Sequence, residues 1–139
     1  ETLNGVRVIK AARLVHVAST PLSLGLLWRL SRQRPEVAHL HFPYPVGEVA
    51  QHLLGQAKCA VLTYHSDVVR QKRILRFYRP LMRRVLGSVD RIIVTTPNYL
   101  ESSPTLQLYR AKCRIVPYGI DRRRFQGADA QATQAVRER

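Results

Sequence analysis

Short apolar runs and longer amphipathic stretches take turns along this chain of 139 residues. Val6–Ile9 and Leu14–Val17 read as strands. Pro21 is placed to open a helix running to about Arg32, since proline is favoured in a first helical turn. Val37–His41 is the next strand, broken by Pro43 and Pro45. Val46 to about Leu54 follows as a helix ended by Gly55. Ala60–Tyr64 is a strand, and roughly Val69–Leu86 is a long helix closed by Gly87. Arg91–Thr95 is a strand rich in Ile and Val, and Pro97 starts a short helix toward Ser102. Arg114–Val116 is the last strand, with a turn at Pro117-Tyr118-Gly119. After Phe125 the chain is polar, either a linker or the start of another helix.

From Val37 onward the order is β-α-β-α-β-α-β, which predicts an α/β fold: a Rossmann-like parallel sheet with helices on both faces. Cys59-Ala-Val-Leu-Thr and Arg91-Ile-Ile-Val-Thr are nearly continuous in apolar character. Strands read this way when both sheet faces are covered.

Ligands of such sheets bind in the crevice at the carboxyl ends of the strands. Polar groups recur there in this sequence. Ala18-Ser19-Thr20 follow the second strand; His39 and His41 end the third, ahead of Phe42-Pro43-Tyr44-Pro45. His65, Ser66 and Asp67 come next, then Thr96 and Asn98, then Tyr118, Gly119 and Asp121.

His39 and His41 alternate with Leu40 and so share one strand face. They either share a metal ion or divide into one packed, hydrogen-bonded histidine and one at the rim. The second reading is the plainer, because no carboxylate or third ligand stands nearby in sequence. His65 directly follows its strand. It either meets a substrate as hydrogen-bond donor or caps its loop. Asp67 reads as an N-cap of the long helix before it reads as a base. No Ser/His/Asp set forms a recognisable activated nucleophile.

Composition sharpens the class. Hydrophobic residues make up 45% of the chain, so a folded domain is expected rather than disorder. No apolar run has the length of a membrane span. The first residue is Glu1, which fits a truncated or processed chain. Cys59 and Cys113 are far apart, with no metal-type spacing, and read as reduced thiols of a cytoplasmic protein.

Charge is the unusual quantity. Lys plus Arg number 23 against 9 acidic residues, a formal net charge of +14, which favours anionic partners. Much of it lies on the long helix. Ile74, Leu75, Tyr78, Leu81, Met82 and Val85 form an apolar stripe. Arg70, Lys72, Arg73, Arg76, Arg79, Arg83 and Arg84 occupy the rest of its circumference. That face is either solvated or meets anionic lipid headgroups. No nucleic-acid-binding motif accompanies it, so no nucleic-acid partner is expected. Arg122-Arg123-Arg124 is a second basic run, facing phosphate, a domain junction or solvent.

Four segments together resemble glycosyltransferase family 4, retaining enzymes of the two-domain GT-B fold. They are His39-Leu40-His41-Phe42-Pro43, Thr63-Tyr64-His65-Ser66-Asp67, Asp90–Thr95 with Pro97-Asn98-Tyr99, and Val116-Pro117-Tyr118-Gly119-Ile120-Asp121 with Phe125. The resemblance implies that residues 1–125 are an incomplete N-terminal, acceptor-side domain and 126–139 a tail or the start of an interdomain linker. It implies transfer of a sugar from a nucleoside-diphosphate sugar to an acceptor, lipid-linked or of the cell envelope. No cofactor and no essential metal are expected. His65 matches the family histidine that reaches toward the transferred sugar. His41, Ser66, Thr95, Thr96, Tyr118 and Gly119 are expected to line the cleft. The basic helix suits a cytoplasmic enzyme peripheral on the inner membrane face. The family's Gly-rich loop and paired-glutamate motif are not found, so the fragment is expected to be inactive alone. The rival reading is a non-catalytic basic module that binds anionic lipid or polyphosphate.

Overall fold

The structure, a computed structural model, describes residues 1–12, 15–17, 20–67 and 72–125. It opens with a hairpin of β1 (Thr2–Leu3) and β2 (Val6–Arg7). The turn is Asn4-Gly5, with φ of 48° and 80°. Asn-Gly tolerates two consecutive left-handed residues, which a tight hairpin needs. A second antiparallel pair joins β3 (Val15–Val17) to β4 (Thr20–Leu22). Pro21 therefore lies in a strand and does not open the helix. Helix α1 (Leu24–Ser31) starts instead at Ser23, whose hydroxyl accepts the Leu26 N–H at 3.1 Å. A serine N-cap satisfies a first-turn donor that Pro21 could not.

The main sheet is parallel, with four strands in the order β5-β6-β7-β8. These are β5 (Val37–Phe42), β6 (Cys59–Tyr64), β7 (Arg91–Val94) and β8 (Cys113–Ile115). Between them run α2 (Pro45–Leu54), α3 (Lys72–Ser88), α4 (Pro97–Ser102) and α5 (Pro104–Gln107). The α/β, Rossmann-like parallel reading holds.

Two helix ends differ from expectation. Gly55 has φ of −66°, so it is not a left-handed cap. Its need is space: a Cβ there would stand 2.4 Å from the Gln51 carbonyl oxygen. Gly87 lies inside α3 instead of closing it. Lys112 Nζ receives the helix end, donating to the Gly87 and Val89 carbonyls. A lysine suits the negative end of the helix dipole.

The register pairs Leu40 with Leu62 and Phe42 with Tyr64 on one side, and His39 with Val61 and His41 with Thr63 on the other. The buried core lies on the first side. Phe42, Leu62, Tyr64, Ile92 and Val94 of the sheet pack with Met82, Val85 and Leu86 of α3, and with Leu100 and Leu106. On the second side, among the described residues, Val37, His39 and His41 are exposed, Val61 and Ile93 are half-buried, and Thr63 is buried. The buried cluster, with the helices that enter it, thus lies on the first side of the described sheet.

Polar groups inside the packed face are all accounted for. Glu48 is 1% exposed; it accepts the Tyr44 N–H and, at 2.5 Å, the Tyr78 hydroxyl. Burial pushes its carboxyl up from the ordinary 4.5, against the pull of those two bonds. Asp67 accepts the hydroxyls of Tyr64, Ser103 and Tyr99 at 2.8, 3.0 and 3.3 Å. Burial, then the Asp67 charge, pushes the Tyr99 hydroxyl up to about 12. Asp67 therefore clasps β6 to the α4–α5 region. Its expected role as N-cap of the long helix involves residues 68–71, outside the described residues.

Candidate functional site

The open face of the sheet gathers three imidazoles. Alternation along β5 puts His39 and His41 on this face while Leu40 and Phe42 enter the core. His65 follows β6 by one residue. Its backbone N–H donates to the Phe42 carbonyl at 3.0 Å, which prolongs the β5–β6 ladder and holds its ring beside His41.

The side chains then form three contacts, two of them linked through His65. His39 Nε2 lies 2.7 Å from Thr63 Oγ1. His41 Nδ1 lies 2.9 Å from His65 Nε2, and His65 Nδ1 lies 2.5 Å from the Tyr118 hydroxyl. His39 and His41 have ring centroids 4.7 Å apart at 29°, and the His41 and His65 rings, with centroids 5.2 Å apart at 10°, lie edge to edge and nearly coplanar. Desolvation lowers the His39 imidazole below its ordinary 6.5, with His41 and His65 pushing the same way. His39 is thus hydrogen-bonded as expected but exposed instead of packed, and His41 is exposed at the end of the strand. Among the described residues no cluster of His, Cys, Asp and Glu is arranged to hold a metal ion.

The remaining predicted residues fall in three groups. Tyr118 joins His65 directly, and Gly119 is its exposed neighbour. Ser66 is exposed beside His65, and Thr95 is half-buried just beyond β7. Neither makes a hydrogen bond to the imidazoles among the described residues. The Thr96 hydroxyl is spent on capping α4, accepting the Tyr99 N–H at 3.2 Å. On the basic helix, Arg79, Arg83 and Arg84 are exposed. Lys72, Arg73 and Arg76 belong to α3, and Arg70 lies outside the described residues. Cys59 and Cys113 are both free thiols, and burial pushes the Cys113 thiol up.

Thr63 was not singled out from sequence. It is 5% exposed, and its hydroxyl holds His39. The signal was available: Thr63 precedes His65 by one strand repeat and so shares its face. Glu48 carried a weaker signal, as a lone acid on an apolar helix following Pro45.

Residues 4–124 match the sequence profile of Glycosyltransferase Family 4. The chain is 40% identical over 138 residues to the D-rhamnosyltransferase WbpZ of Pseudomonas aeruginosa, an alignment covering 97% of this chain and 36% of that protein. It is 41% identical over 118 residues to the O-antigen chain mannosyltransferase C of Escherichia coli, covering 83% of this chain and 32% of that protein. No solved structure matches the chain. The chain spans about a third of the length of these curated relatives. With the profile matching nearly the whole sequence and two relatives near 40% identity, the chain belongs to glycosyltransferase family 4.

Proposed function

We infer that the chain is the acceptor-side part of a longer retaining glycosyltransferase of cell-envelope polysaccharide synthesis. In this reading the whole enzyme moves a sugar from a nucleoside-diphosphate sugar onto a polysaccharide or lipid-linked acceptor. The observation that carries it is the convergence of His41, His65 and Tyr118 beside the carboxyl ends of β5 and β6 in a chain of this family. A dense set of nitrogen and hydroxyl groups suits a polyhydroxylated ligand, and His65 is its central member.

The relatives' names point to D-rhamnose and mannose. These two hexoses share ring configuration and differ at the C6 oxygen, so a manno-configured hexose is the transferred sugar in this reading. The donor is a substrate, and neither a cofactor nor a metal is invoked. The exposed Arg79, Arg83 and Arg84 support approach to the anionic inner face of a membrane, where a lipid-linked acceptor is anchored. The donor-binding part lies outside these 139 residues, which are inactive by themselves in this reading.

The test is a transfer assay on the intact protein with nucleoside-diphosphate mannose and its 6-deoxy counterpart, using membrane-extracted acceptor. Product NMR reads the anomeric configuration; an inverted product overturns the retaining assignment. His65→Ala is expected to lower kcat by roughly a hundredfold, the scale of one lost catalytic group, while costing at most about 2 kcal/mol of stability for its two side-chain hydrogen bonds. Near-normal turnover in His65→Ala removes that residue from the mechanism.

A further inference from the structure

Both ring nitrogens of His65 are in use. Nε2 faces His41 Nδ1 at 2.9 Å, and Nδ1 faces the Tyr118 hydroxyl at 2.5 Å. A neutral imidazole has one N–H and one bare nitrogen, so the two contacts constrain each other. Only one proton fits between two nitrogens at 2.9 Å. An imidazole nitrogen accepts more strongly than a phenol oxygen, and a phenol O–H is the better-matched donor. Tyr118 therefore donates to Nδ1 of His65. The proton of His65 then resides on Nε2 and is given to Nδ1 of His41. His41 in turn carries its proton on Nε2.

That last N–H is the open end of the sequence. His41 is exposed at the end of β5, and its Nε2 has no hydrogen-bond partner among the described residues. His65, with both nitrogens held, has no N–H left for a ligand. The near-coplanar rings and the backbone bond from His65 to Phe42 keep the geometry in place.

We propose that Tyr118, His65 and His41 form a directed donor relay whose ligand-facing group is the Nε2–H of His41, with Tyr118 as the positioning residue that sets its direction. The group presented is an uncharged N–H, which suits a sugar hydroxyl oxygen better than a phosphate, whose partners are best charged. The relay itself follows from the geometry; its sugar ligand rests on the transferase reading above. His65 in this arrangement acts through His41, so substitution of either imidazole is expected to impair the site.

Two measurements on the intact protein test this. The first is the 15N NMR of histidine-labelled protein, with resonances assigned by single His→Gln variants. His65 and His41 are each expected to show a protonated Nε2 and a bare Nδ1. Tyr118→Phe is expected to convert His65 to a tautomer mixture. A mixture already present in the parent protein, or no change in Tyr118→Phe, overturns the relay.

The second measurement is kinetic. Asparagine places its amide near the Nδ1 position of a histidine, and glutamine near the Nε2 position. His41→Gln is expected to keep more kcat than His41→Asn, because only glutamine preserves a donor at the open end. Tyr118→Phe is expected to lower kcat several-fold, the scale of one hydrogen bond, with KM little changed. Full kcat in His41→Asn overturns the ligand-facing role. If the intact protein transfers no sugar at all, the transferase reading fails, and the NMR result still decides the relay.

Discussion

The two faces of the main sheet are built from the same strands and do opposite work. In β5, Leu40 packs against the core and Phe42 is fully buried, while the alternate residues His39 and His41 stand on the open side. In β6, Leu62 and Tyr64 are buried among helices, while Thr63 supports His39. On the packed face, among the described residues, two acids hold elements together: Glu48 through Tyr44 and Tyr78, Asp67 through three hydroxyls. On the open face the groups are linked into a sequence that leaves one donor outward. A period of two is enough to separate stability from chemistry within one strand.

The contrast is broken most strongly from the packed side. Leu62 is fully buried in the cluster. Leu62→Ala is expected to cost about 3 kcal/mol in denaturant unfolding, from lost burial plus the residual cavity. A cost under about 1 kcal/mol indicates that the core does not close over this face. His39→Ala on the open face, by comparison, removes only the bond to Thr63 and is expected to cost about 1 kcal/mol.

Glu48 comes next. Glu48→Ala strands the Tyr44 N–H and the Tyr78 hydroxyl, at an expected cost of about 2 kcal/mol. Glu48→Gln keeps an acceptor and removes the buried charge, so it is expected to match or exceed the parent at neutral pH. The two faces also differ in pH response. The Glu48 carboxyl is raised in the folded state, so the native protein binds more protons above 4.5, and stability falls as pH rises through the folded value. His39 is lowered, so its contribution is fully present above 6.5 and is lost as pH falls from there through its lower folded value. Unfolding midpoints across pH 4 to 8, with Glu48→Gln and His39→Gln as controls, separate the two. A profile unchanged by either substitution removes both groups from the pH dependence.

The smallest structural effect is expected on the outer side of α3. Arg79, Arg83 and Arg84 are exposed, so replacing all three with Gln is expected to leave unfolding unchanged within about 0.5 kcal/mol. Binding to anionic vesicles is expected to drop by on the order of a hundredfold, most visibly at low salt. Unaltered vesicle binding places any membrane surface elsewhere.

Much of this was legible in the residues. The strands from Val37 onward stood out because apolar runs bounded by Pro and Gly leave little choice of state. The Asn4-Gly5 pair is an equally legible hairpin signal, and the strand expected over Val6–Ile9 is shortened to Val6–Arg7 by the pairing it sets. Pro21 misled because proline suits a helix start and a strand edge alike, and Ser23 decided between them. Gly55 was rightly placed at a helix end for the wrong reason, since the crowding by Gln51 depends on a side chain that no local rule positions. Of the candidate site, His41, His65 and Tyr118 were all named as rim residues. Their order in a hydrogen-bonded relay was not, because residues 41, 65 and 118 meet only through strand pairing and the return of the chain after β8.

By itself the sequence determined the α/β alternation, the parallel sheet, the strand ends where polar groups collect and membership of the family, because these depend on local period and on short motifs. Tertiary structure decided which face of the sheet is packed, that Asp67 and Glu48 serve as clasps, and that His65 has both nitrogens engaged. Those outcomes depend on register and on contacts between residues distant in the chain, and hydrogen bonds of that kind are set by where the backbone brings each donor and acceptor.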